Sequence, residues 1–116
     1  QAARALGNLA CNNESNKHAV RLANGVPPLV SLARVGTPEQ RSEAVYALGS
    51  LASKNPANQA AIRDAGGIAP LLALVADGTP EMAEEASRVL RQLDRQSLDD
   101  SRALTVVANS SVGFDV

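Results

Sequence analysis

Aromatic side chains are almost missing from this chain of 116 residues, which holds one Tyr, one Phe and no Trp. Modules that grip single-stranded nucleic acid stack bases on aromatic platforms, so the composition argues against that class. A formal net charge of -1 removes the basic field that would draw the chain to nucleic acid or to an anionic membrane. The single histidine, His18, cannot by itself supply the three or four donors of a zinc site, and Cys11 has no general base beside it in sequence. The lone Cys11 excludes an internal disulfide and fits a reducing cytosol or nucleus; it reads as a small packing residue. No apolar run approaches the roughly 20 residues of a membrane-spanning helix, and no glycine-rich phosphate loop follows a strand. The expectation is a chain with no enzymatic activity, metal or cofactor, and with no direct membrane insertion.

What the chain does have is repetition. Shifted by 42 residues against itself, it matches at 23 of 52 positions between residues 1 and 94. Ala5-Leu6-Gly7-Asn8-Leu9-Ala10 returns as Ala47-Leu48-Gly49-Ser50-Leu51-Ala52, and Gly36-Thr37-Pro38-Glu39 returns as Gly78-Thr79-Pro80-Glu81. A period of about 40–47 residues marks stacked helical units, none of which can bury its apolar face alone. The predicted organisation is the end of a preceding unit at 1–11, complete units at 13–53 and 55–94, a candidate capping helix at 95–108 and a flexible tail at 109–116. Function is therefore expected on a surface that the stack builds.

Punctuation divides each unit into three helices. Asn13 and Asn55 stand where an N-cap belongs, and Pro56 falls at a first helical position that tolerates a missing N–H. A short helix follows over 14–23 and 56–65, with Ala19/Val20 and Ala61/Ile62 turned inward. Gly25 and Gly66-Gly67 break it. The second helix starts near Pro27-Pro28 and Pro70, carries Leu29, Val30 and Leu32 or Leu71, Leu72, Leu74 and Val75, and ends at Gly36 or Gly78, read as left-handed stops. The third helix opens on Thr37-Pro38-Glu39-Gln40, a capping box. Its apolar stripe is Ala44, Val45, Leu48 and Leu51, and in the next copy Ala86, Val89, Leu90 and Leu93.

Gly7 and Gly49 lie inside these third helices, where glycine costs up to about 1 kcal/mol against alanine. Their recurrence predicts a neighbour that approaches closely. The corresponding position in the last copy is Arg91, and Ala52 becomes Asp94, so no further complete unit is expected beyond residue 94. The chain also begins at Gln1 in mid-pattern, which leads us to expect the C-terminal piece of a longer array.

This three-helix grammar resembles the armadillo repeat of β-catenin, importin-α and related scaffolds; HEAT repeats are the structural alternative. The most specific pieces are the Ala-Leu-Gly-Asn/Ser-Leu-Ala motif, the Ala-Gly-Gly-Ile-Ala-Pro-Leu-Leu run at 65–72 and Asn58 at the start of a short helix. The resemblance implies an all-α, right-handed α-solenoid whose third helices line a concave groove for an extended peptide. It further implies an asparagine late in each third helix on the peptide backbone, and an aromatic one turn earlier between peptide side chains. An amide both donates and accepts, so it suits a strand that exposes N–H and C=O at every residue. At helix spacings of about 8–10 Å it would engage roughly every third residue.

Carried over by position, the asparagine place holds Asn8, Ser50 and Gln92, and the aromatic place holds Arg4, Tyr46 and Arg88. Glu43 and Glu85, two turns before the asparagine place, complete the candidate groove. Carboxylates alternating with guanidiniums point to a ligand of mixed charge more than to a purely basic one. The expected partner is a protein or peptide segment. The competing expectation is a structural, self-assembling fragment, a homodimer formed through an exposed N-terminal face that carries Leu6 and Leu9.

Overall fold

Side-chain caps decide where the helices start. The computed structural model describes residues 2–11 and 13–94. Over these the chain forms α1 (Ala2–Ala10), α2 (Glu14–Leu22), α3 (Val26–Val35), α4 (Pro38–Ala52), α5 (Pro56–Asp64), α6 (Ile68–Asp77) and α7, described over 80–94. Asn13 Oδ1 accepts from the Asn16 N–H, and Asn55 Oδ1 from the Asn58 N–H, each at 2.9 Å. At α4 the box closes in both directions. Thr37 Oγ1 accepts from Gln40 N–H at 3.2 Å, and Gln40 Oε1 accepts from Thr37 N–H at 2.9 Å. Thr79 caps α7 on Met82 N–H at 3.2 Å, but a methionine side chain cannot return the second bond.

The helix ends differ from the expectation in one respect. Gly36 and Gly78 are not left-handed; their φ values are -72° and -77°. Glycine is needed at Gly36 for closeness, because a Cβ there would stand 2.6 Å from the Leu32 carbonyl oxygen. Left-handed residues close the short helices instead, Asn24 at φ 59° and, one unit on, Gly66 at φ 78°, while a third, Lys54 at φ 53°, follows the end of α4. Around the first two, paired backbone bonds form a Schellman closure, Asn24 N–H to Arg21 C=O at 3.0 Å and Gly25 N–H to Val20 C=O at 2.9 Å. Gly66 and Gly67 repeat both bonds on Arg63 and Ile62.

α4 ends without such a closure, and side chains of the following short helix cap the last carbonyls of α1 and α4. Asn16 donates to Leu9 C=O, Asn58 to Leu51 C=O and Gln59 to Ala52 C=O. Lys17, 3% exposed, donates to Ser53 C=O at 2.7 Å and so ties the first helix of its unit to the end of the third. Asn58, fully buried, also donates to Lys17 C=O and accepts from Arg21, so one amide ties α5 to both α4 and α2.

The core is aliphatic and centred on α4, whose Ala44, Val45, Ala47, Leu48, Leu51 and Ala52 are fully buried. α1 packs on one flank of α4 and α3 on another, while α5 packs against α2 and α3, and α6 against α3. Within the short helices one member of each expected inward pair is buried, Val20 and Ile62. Ala19 is exposed and Ala61 half-buried, because their short side chains fall at the rim of the contact. The two helical glycines mark close approaches. A Cβ on Gly7 would lie 2.8 Å from the Tyr46 ring, and one on Gly49 would lie 2.8 Å from Glu85 Oε1 and 3.2 Å from Val89. α1, α4 and α7 therefore run side by side and share one face. The expected capping helix at 95–108 and tail at 109–116 lie outside the described residues.

Candidate functional site

The shared face holds two adjoining clefts. The first, about 530 Å³, is lined by Arg4 and Asn8 from α1 and by Ser42, Glu43 and Tyr46 from α4. The second, about 200 Å³, lies between α4 and α7, and its walls include Tyr46, Ser50, Glu85, Arg88 and Gln92. Tyr46 belongs to both. The eight groove candidates named from the sequence are thus brought to one face. Tyr46 is 41% exposed, and its ring lies over Gly7, where any side chain would displace it. Asn8 is exposed, Ser50 is half-buried, and Gln92 holds its Oε1 buried with no hydrogen-bond partner among the described residues.

The charges on this face are paired within the protein. Arg4 bridges from α1 to Glu43 on α4 with two contacts, Nη2 to Oε1 at 2.9 Å and Nε to Oε2 at 3.1 Å. Arg88 pairs with Glu85 at 2.9 Å on its own helix. In both pairs the carboxylate is the sheltered member: side-chain exposures are 69% for Arg4 against 22% for Glu43, and 55% for Arg88 against 26% for Glu85. Such exposed pairs add little stability, about 0–1 kcal/mol each. Their consequence is geometric, since guanidinium groups stand outermost and the carboxylates lie behind them.

Some of the lining was not named from the sequence. Ser42 joins the first cleft, and Cys11, Lys17 and Ser53 join the second. Cys11 was expected to be a packing residue and is exposed, because it follows the last turn of α1 with no helix covering it. Lys17 offered one signal: its counterpart one unit later is Gln59, and both are buried donors facing carbonyls at a third-helix end. Of the pair proposed for self-association, Leu9 is 57% exposed but Leu6 is half-buried against the core. Among the described residues no group of three or more His, Cys, Asp or Glu is placed to hold a metal ion. No described helix is long and apolar enough to cross a membrane.

Stacked three-helix units with a face shared by every third helix define an all-α solenoid. The sequence profile of the Armadillo/beta-catenin-like repeat matches residues 12–53 and 55–93, and the chain belongs to that family. Among solved structures, the chain is similar to a designed armadillo repeat protein determined in complex with the peptide (KR)4. The TM-score is 0.71 at 25% sequence identity over 83% of this chain. The chain spans 45% of the designed protein's length. No protein of curated function matches the sequence.

Proposed function

We propose that the face formed by α1, α4 and α7 binds an extended segment of another protein. The observation that carries this reading is Tyr46, an exposed aromatic shared by two adjoining clefts, with Asn8 in the same cleft one helix away. An aromatic wedge separates the side chains of a ligand, and the amide satisfies its backbone. The peptide complex of the designed relative supports the general mode, in which main-chain groups supply affinity and pockets supply specificity.

The ion pairs decide what charge the ligand carries. A purely basic peptide has to separate Glu43 and Glu85 from their arginines before reaching either carboxylate. Acidic ligand residues, by contrast, meet Arg4 and Arg88 outermost. We therefore assign a ligand of mixed charge, and a module that works in the cytosol or nucleus, where an exposed thiol such as Cys11 stays reduced. The test selects binders for the full chain from a displayed peptide library and compares them with (KR)4. Enrichment of peptides with acidic residues, and loss of their binding in Asn8→Ala/Tyr46→Ala with the helical circular dichroism intact, is the expected result. Unchanged affinity in that double variant, or preference for (KR)4, sinks the reading.

A second reading rests on Leu9, more than half exposed on the outer side of α1. Its counterpart Leu51 is fully buried inside the stack, so a second copy packed on α1 would restore that environment. Sedimentation over a wide concentration range separates the two readings. A dimer dispersed by Leu9→Lys supports self-association, and a concentration-independent monomer refutes it.

A further inference from the structure

The far end of the stack presents a face built like the interior one but left partly open. One unit apart, Ile68, Leu72, Leu90 and Leu93 take the places of Val26, Val30, Leu48 and Leu51. The interior four are at most 2% exposed, and α5 and α6 both pack on the helix that carries Val26 and Val30. At the end of the stack Ile68 is 40% exposed, Leu72 is 55% exposed and Leu90 is half-buried. They border a cleft of about 310 Å³, rimmed by Arg91 and Asp94.

The chain runs on for 22 residues beyond residue 94. Extending the 42-residue register into them puts Ser97 at the cap position of Asn13 and Asn55. Serine is among the preferred N-cap residues. Ala103 and Leu104 then fall at the places of Ala61 and Ile62, the latter fully buried in the interior unit. Asp100 falls at the place of Asn58, whose Oδ1 accepts from Arg21 Nη1 at 3.4 Å. The counterpart of Arg21 is Arg63, which spends one N–H on Leu93 C=O at 3.2 Å and keeps others for a carboxylate. Apolar shape, cap and charge agree on one register.

We propose that residues 98–106 dock on this face as a further short helix, with Leu104 in the Ile62 place over Ile68 and Leu72 and Asp100 paired with Arg63. The occupant is this chain's own C-terminal segment. In this register Leu104 does the covering, while Val107 takes the rim position of Ala65. The proposal is independent of the peptide groove, which lies on the face of the third helices.

Amide hydrogen exchange on the full chain, at two protein concentrations tenfold apart, tests it. Amides of 99–106 should exchange at least about tenfold more slowly than in an unstructured peptide, equally at both concentrations. Leu104→Asp should abolish that slowing and quicken exchange in α6. Leu98→Asp, at the place of the exposed Pro56, should change neither. Unstructured exchange rates over 98–106 in the unaltered chain overturn the proposal, whatever the variants do. So does an equal effect of the two substitutions, which would remove the register. Protection seen only at the higher concentration also overturns it, because a second copy would then be covering the face.

Discussion

Removing the amide of Asn58 should cost far more than removing that of Asn16, although the two residues hold the same place in successive units. Asn58 is fully buried, donates to Leu51 C=O at 2.9 Å and Lys17 C=O at 3.2 Å, and accepts from Arg21. In Asn58→Ala, Leu51 C=O at the end of α4 loses its cap in a place water does not reach, a loss of about 1–3 kcal/mol. Lys17 C=O loses a second bond worth about 0.5–1 kcal/mol, and the half-buried Arg21 finds water at little cost. The sum is about 2–4 kcal/mol, which for a unit of this size is a fall of about 10–25 °C in Tm. Asn16 is half-exposed and, among the described residues, its amide donates only to C=O of the 57% exposed Leu9, so Asn16→Ala should cost about 1 kcal/mol. Urea unfolding followed by helical circular dichroism measures both, and a shift in midpoint at constant slope isolates the stability change. Equal midpoints for the two variants would refute the idea that burial of this cap ties the units together.

Three further outcomes are expected. Thr37→Ala opens the capping box of α4 and should lower stability by about 1 kcal/mol, read from the same unfolding midpoints; no change would mean that water replaces the cap. Gly49→Leu sets a branched side chain where even a Cβ meets Glu85 and Val89, so α4 and α7 must separate, at about 1–3 kcal/mol or more. Gly66→Leu, at a left-handed position where a Cβ would meet only Arg34 Nη2 at an ordinary 3.8 Å, should cost chiefly through backbone strain. Thermal melts read both variants; Gly66→Asn should melt above Gly66→Leu, and equal melts would refute the strain. The Glu14 carboxyl is held below the ordinary glutamate range, first by its hydrogen bond from Lys17, whose charge adds to the effect, with Asn55 a smaller contributor. A depressed folded-state value means its contribution is present above the unfolded glutamate pKa and is lost as pH falls through the folded one. Glu14→Gln should therefore flatten the decline of Tm in that acidic window, and an unaltered decline would exclude the Lys17 contact as its source.

Much of this protein is legible in its sequence, because its signals are local. Caps act over three residues, so Asn13, Asn55 and the Thr37/Gln40 box could be named from spacing, and the structure places each at a helix start. The apolar stripe of α4 follows from helical period, and its residues are buried as that period requires. The 42-residue shift also implied that third helices lie side by side, and glycines inside them pointed to the close approach at Tyr46 and Val89.

Contacts between units were decided by the tertiary structure, since periodicity says which helices are neighbours but not how they are rotated or how far apart they sit. That rotation pairs Arg4 with Glu43 across 39 positions of sequence, and so turns a row of candidate ligand contacts into a row of internal ion pairs with arginine outermost. Packing also buries Lys17 against the Ser53 carbonyl, 36 positions away in its own unit, while leaving Cys11 exposed, although the sequence suggests the reverse for each. The demand for glycine at Gly36 is by contrast local, since a Cβ there would meet the Leu32 carbonyl of its own helix; in sequence it looks like a demand for a left-handed backbone. The one-dimensional pattern contained the units and their order; the angle at which they meet, set by side-chain volumes across the interface, made the surface.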